Sequence, residues 1–240
     1  MKTLIIMTTL LISALIFFIL ANSHHLLTTT EVSVLHDLTD KHLSQPDANE
    51  LYALFHLSGN DKWNGAMFRF SNVTDVSFNR TDEISLNAAN QLFSNEFTRE
   101  KQIENFKDSL AKIVADAGSD ATGKENSSIY LPIANELIYL SRSTAKKRSL
   151  IIYSDLMENN LDFSFYHPDQ LQLLELHPET ISEKFEKQKA LPSLKGIEVY
   201  FVYQPADPDA DREFRIVSEF YKKLLEKKGA NVFISANLTL

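Results

Sequence analysis

Two short runs constrain the fold of this chain more than any other feature: "LIIY" inside "KKRSLIIYSD" (146–155), and "VYFVY" inside "GIEVYFVYQP" (196–205). Neither alternates polar with apolar residues. A strand of this kind is buried on both faces, which demands helices above and below a mostly parallel sheet. The chain supplies those helices. "TREKQIENFKDSLAKIVADAG" (98–118) places Ile103, Phe106, Leu110, Ile113 and Val114 on one stripe and stops at Gly118. "DREFRIVSEFYKKLLEKKGA" (211–230) turns Phe214, Val217, Tyr221, Leu224 and Leu225 inward. Its Lys222, Lys223, Lys227 and Lys228 lie near the C-terminal end, where the helix dipole favours cations.

The remaining segments complete the alternation. "EVSVLHD" (31–37) reads as a buried strand. "PDANELYALFHLSG" (46–59) reads as a helix with Pro46 and Asp47 at its start and Gly59 at its stop. "GAMFRFSNVTDVSFN" (65–79) reads as a strand pair turning at Ser71-Asn72. A polar loop, "SDATGKENSS", leads to an apolar helix, "IYLPIANELIYLS", and "NVFISANL" (231–238) is the last strand. Strands and helices that alternate throughout predict an α/β fold: a three-layer, doubly wound, Rossmann-like sheet over residues 31–240. The connection over about 156–195 is too long for a simple crossover. It reads as an insertion carrying a helix near "PETISEKFEKQKAL" (178–191).

Residues 1–23 stand apart from this domain, with 24–30 as a spacer. Thr3 to Ala21 contain no charge and have the length of a helix crossing a bilayer core of roughly 30 Å. Ala21 and Ser23 also have the spacing a signal peptidase requires for cleavage before His24. The length and the bulky "IFFIL" favour an uncleaved anchor. Both alternatives export the domain to the periplasm or the extracellular side, secreted if the leader is removed, and Lys2 favours an N-terminus left inside. The net charge of −8 excludes a generic nucleic-acid binder. The absence of cysteine excludes disulfides, thiolate metal sites and a cysteine nucleophile.

In a doubly wound sheet, ligands bind at the C-terminal ends of the strands. The residues there are Asp37, Thr39 and Asp40 after the first strand, Ser154 and Asp155 after "LIIY", and Ser127 and Ser128 before the helix at 129. "VLHDLTD", "NSSIYLPIANEL" and "KKRSLIIYSDLMEN", in that order, resemble a von Willebrand factor A-type (vWA) domain. The metal-ion-dependent adhesion site of that family uses D-x-S/T-x-S, a mid-chain Thr or Ser, and an Asp after the fourth strand. The resemblance implies a metal site of Asp37, Thr39, Ser127 and Asp155, with Ser128 as the substitute for Ser127. It further implies Mg²⁺ as cofactor, held by hard oxygen donors, a protein partner whose acidic side chain completes the coordination, and binding without catalysis. The departure is Lys41, which stands where the pattern wants a second hydroxyl. A charged lysine cannot ligate, but it pairs readily with Asp37 and Asp155. Asp40 is the alternative oxygen donor.

The same positions also suit ordinary capping of helices by Asp, Ser and Thr. A second constellation is "GSDATGKE" (118–125), which matches a phosphate loop up to its last position. Glu125 replaces the metal-binding hydroxyl, and a helix rather than a strand precedes Gly118. A nucleotide-dependent enzyme is therefore the alternative reading. A ligand-free structural component of an envelope assembly is another. No G-x-S-x-G or H-E-x-x-H motif occurs.

Overall fold

The computed structural model describes residues 28–38, 44–73, 80–117, 128–160 and 163–238. The strands are β1 (Thr29–Asp37), β2 (Gly65–Val73), β3 (Thr81–Leu86), β4 (Lys147–Tyr153), β5 (Asn159–Asn160), β6 (Phe163–Ser164), β7 (Ile197–Val202) and β8 (Asn231–Ser235). The helices are α1 (Ala48–Ala53), α2 (Glu96–Ala117), α3 (Tyr130–Arg142), α4 (Pro168–Leu176), α5 (Pro178–Gln188) and α6 (Pro208–Glu226). The main sheet has six strands in the order β3-β2-β1-β4-β7-β8, parallel except for β3. Its order reverses between β1 and β4, the switch point of a doubly wound fold.

The apolar strands explain the layers. In β4, Leu150 and Ile152 face the core beneath α3, α4, α5 and α6, while Ile151 and Tyr153 face the opposite core with α1 and α2. β1 divides in the same way: Leu35 points to the first core, Val32 and Val34 to the second. The stripe read in 211–230 is the buried face of α6, with all five residues inward. Pro132 is tolerated in α3 because it sits in the first turn, where its missing N–H has no intrahelical partner to lose.

Two local expectations need correction. β2 runs straight through Ser71 and Asn72, and its partner β3 begins only at Thr81. Ser71 and Asn72 stay in the strand because each finds a partner there: the Ser71 hydroxyl meets Thr81 Oγ1, and Asn72 Nδ2 donates to the Ala117 carbonyl. The helix expected over 46–59 is shorter, because α1 ends at Ala53 and Gly59 instead opens a 3₁₀ turn, Gly59–Trp63. Gly59 adopts φ +55, the left-handed conformation that glycine accepts without a Cβ penalty. The connection over 156–195 holds the β5–β6 hairpin, α4 and α5. Leu171, Leu174, Ile181 and Phe185 join its helices to the first core. Its helices form part of the layer over β4 and β7.

Candidate functional site

At the switch point the C-terminal ends of β1 and β4 lie side by side. From β1 the chain leaves toward α1 on one face of the sheet, and from β4 it leaves toward the insertion on the other. Asp37 is the last residue of β1 and is buried. Ser154, the first residue beyond β4, donates its hydroxyl to Asp37 Oδ2 at 2.9 Å and accepts the Leu156 N–H at 2.9 Å. Asp155 is buried beside it. Its Oδ1 accepts the Met157 N–H and its Oδ2 accepts the Tyr166 hydroxyl, both at 2.9 Å. Leu156 holds φ +64, a left-handed conformation that costs a non-glycine residue about 1–2 kcal/mol. This reversal lets the short run Ser154–Glu158 turn back on itself and place three side-chain acceptors at one edge.

The third acceptor is Glu158, which sequence reasoning missed. It is 0% exposed and accepts four hydrogen bonds. The Ile129 and Tyr130 N–H groups donate to Oε2 at 2.9 and 2.8 Å. The Ser128 hydroxyl and Asn160 Nδ2 donate to Oε1 at 2.9 and 2.8 Å. Glu158 thus caps α3 from outside the helix. Its negative charge also lies at the end where the peptide dipoles favour it. Burial pushes its pKa up, outweighing the four donors that pull it down. The buried Tyr221 hydroxyl of α6 feels the Glu158 charge but makes no hydrogen bond of good geometry among the described residues. Burial, followed by the charge of Glu158, holds the Tyr221 pKa well above its ordinary value.

From sequence, Ser128 reads as a local cap of this helix and nothing points to Glu158. In the structure the residue before α3 is Ile129, whose side chain cannot cap a helix. A buried helix start without a local capping residue must find an acceptor elsewhere.

Of the residues proposed from sequence, Asp37 and Asp155 stand at the ends of neighbouring strands, and Ser154, next to Asp155, hydrogen-bonds Asp37. Ser128 lies nearby with its hydroxyl directed to Glu158. Thr39, Asp40, Lys41 and Ser127 lie outside the described residues, as do the apolar segment 3–21 and the loop Gly118–Lys124. The chain enters that loop from the 22-residue helix α2 rather than from a strand, contrary to the phosphate-loop arrangement. His36, next to Asp37, is buried edge-on against the Phe70 and Tyr153 rings, at 6.1 and 6.3 Å. Among the described residues, no three His, Cys, Asp or Glu side chains gather in an arrangement that would hold a metal. No helix among them is long and apolar enough to cross a membrane.

Comparison with known proteins gives limited company. No family model matches the chain. No curated protein matches it either. Among solved structures, it is similar to an aerotolerance-related membrane protein from Bacteroides fragilis, at 10% identity and a TM-score of 0.37, over 86% of this chain and 92% of that one. It is similar also to the conserved hypothetical protein BatB from Bacteroides thetaiotaomicron, at 13% identity and a TM-score of 0.33, over 87% of this chain and 91% of that one. The fold stands on its own strand order and layers: a doubly wound α/β sheet with buried carboxylates, Asp37 and Asp155, at its switch point.

Proposed function

We propose that this chain is an exported, membrane-anchored, vWA-like module that binds a protein partner at the switch point, with Mg²⁺ held by Asp37, Thr39, Ser127 and Asp155. The observation that carries the reading is the Ser154–Asp37 hydrogen bond, which joins groups 117 residues apart in sequence at the ligand-binding edge. Asp155, on the strand end next door, brings a second carboxylate to the same edge. The donor chemistry fits the ion: carboxylate oxygens are hard ligands, and the Met157 N–H and Tyr166 hydroxyl orient Asp155 as outer-shell donors orient a metal-binding carboxylate. Bound Mg²⁺ would supply a positive centre for an acidic side chain of the partner. The protein's own groups would position it and limit access of water. Lys41 is the residue that competes for this role, as a cation already attached to the chain.

The test is thermal unfolding of the purified chain in Mg²⁺, Mn²⁺ or EDTA, repeated with Asp37→Ala. A ligand that binds only the folded state raises the midpoint by mass action. The expected result is a metal-dependent rise in the parent protein that Asp37→Ala abolishes. An unchanged midpoint in all three conditions removes the metal and leaves Lys41 as the cation of the site. A rise with ATP or GTP in place of metal would favour the phosphate-loop enzyme.

A further inference from the structure

The opposite edge of the sheet carries its own pattern. β3 ends at Leu86 beside the start of β2; the connection to α2 then projects Leu92 and Phe93 outward, 56% and 83% exposed, and the first turn of α2 adds Phe97, 77% exposed. This finger is a built turn. Asn90 accepts the Phe93 N–H on its carbonyl and the Leu92 N–H on its side chain, and Asn95 caps α2 through the Thr98 N–H. Its base is pinned by Arg99, whose guanidinium donates to the carbonyls of Lys62, Asn64 and Asn87. Two large aromatics held in water, one by an ordered turn and one by the helix start beside it, mark a contact surface.

The same edge is where the described chain begins. The Thr28 N–H donates to Asn64 Oδ1, and Gly65 N–H donates to the Thr28 carbonyl. Asn64 therefore touches both the first described residue and the Arg99 pin of the finger. Between Thr28 and the uncharged segment Thr3–Ala21 lie only residues 22–27, which span at most about 22 Å. The strand starts at this edge are basic: Lys146 and Lys147 at β4, Lys195 before β7 and Lys227 before β8, all exposed. Most acids nearby are paired with lysines, Glu96 and Glu100 with Lys62, Glu186 with Lys228 and Glu226 with Lys222, while Asp61 and Glu198 bond only neutral groups.

We propose that this edge docks on the bilayer: the Phe93–Phe97 finger enters the interface of an anionic phospholipid membrane, and the lysines of the strand starts meet its headgroup phosphates. The inference rests on the reading of Thr3–Ala21 as a membrane anchor. It gives the domain an orientation, with the Asp37–Asp155 site turned away from the lipid toward a partner.

The chain has no cysteine, so single-site labelling is clean. The full chain is reconstituted in phosphatidylcholine–phosphatidylglycerol vesicles with a nitroxide at Phe93→Cys or, as the far-edge control, at Asp209→Cys. Collision with oxygen and with a water-soluble nickel chelate is then measured. Docking predicts a label at 93 reached several-fold more by oxygen than by nickel, with the reverse at 209. It also predicts that Lys146→Glu with Lys147→Glu, or phosphatidylcholine alone, reduces the difference at least twofold. A label at 93 as open to nickel as that at 209 overturns the proposal, and so does spin–spin broadening at 93, which would mean that a second copy covers the finger. Shielding that is the same in both lipids overturns the headgroup contact. Alkaline extraction separates the two readings. A chain that resists it while 93 stays exposed keeps the anchor and loses the docking. A chain that is extracted, yet shields 93 before extraction, keeps the docking and loses the anchor.

Discussion

Arg99 and Glu158 sit at opposite edges of the sheet, and each is a buried charge solvated by backbone. Arg99, 1% exposed, points its guanidinium at three carbonyls and the Gln102 side chain. Glu158 collects two N–H groups, a hydroxyl and an amide. Neither has an oppositely charged partner among the described residues. Burial pushes both toward their neutral forms, lowering the Arg99 pKa and raising that of Glu158. The chemistry of the two groups then separates them. A guanidinium keeps its proton at any pH a protein meets, whereas a carboxyl does not. The edge that carries the finger is therefore fixed regardless of pH, while the edge that carries the candidate site is tied to a proton.

Four measurements would break or sharpen that contrast, the largest effect first. Arg99→Ala takes the guanidinium donor from three carbonyls and empties a buried site, and should cost about 3–5 kcal/mol in urea unfolding at any pH. A loss under about 1 kcal/mol would remove Arg99 as the pin of its edge. Glu158→Gln should cost about 1–2 kcal/mol near pH 4, because the hydroxyl oxygen of the neutral carboxyl can still accept a hydrogen bond where the amide presents an NH2. Here the sign depends on pH. The folded pKa of Glu158 is raised above its unfolded value of 4.5, so its stabilising share is complete below that value and is lost as pH rises through the folded one. The gap between parent and variant should therefore narrow from acid to neutral pH. A constant gap would make Glu158 as pH-indifferent as Arg99.

Ser154→Ala removes the donor to Asp37 and the acceptor for the Leu156 N–H. About 1–2 kcal/mol is expected, with a weaker response to Mg²⁺ if the site holds the ion. Asp47→Ala is the smallest. Asp47 caps α1 through the Asn49 and Glu50 N–H groups, exposed to water, and its loss should cost about 1 kcal/mol by the same assay.

The α/β class and the burial of β4, β7 and α6 were legible because periodicity is local: a few successive residues carry the signal. The expected turn at Ser71-Asn72 failed because two polar residues in a strand look like a break until Thr81 and Ala117 arrive to pair with them. At the site, Asp37 and Asp155 were legible from their places after apolar runs. Glu158 was not, because the helix it caps begins 28 residues earlier in the chain. Ser128 was read as a candidate ligand from its position before α3, and the partner of its hydroxyl was invisible for the same reason.

The sheet topology has a consequence for how the molecule is made. β1 lies at the centre, and its neighbour on one side, β4, pairs Thr30 with Lys147. At synthesis rates of about 5–20 residues per second, Val32 and Val34 emerge on the order of 5–20 s before Ile151 exists to cover their flank. In that interval the best-buried strand of the finished domain is a sticky, half-paired ribbon. A holding factor that recognises short β-branched segments would bind here first, and delays in translation between codons 73 and 147 would raise aggregation more than delays anywhere after β4.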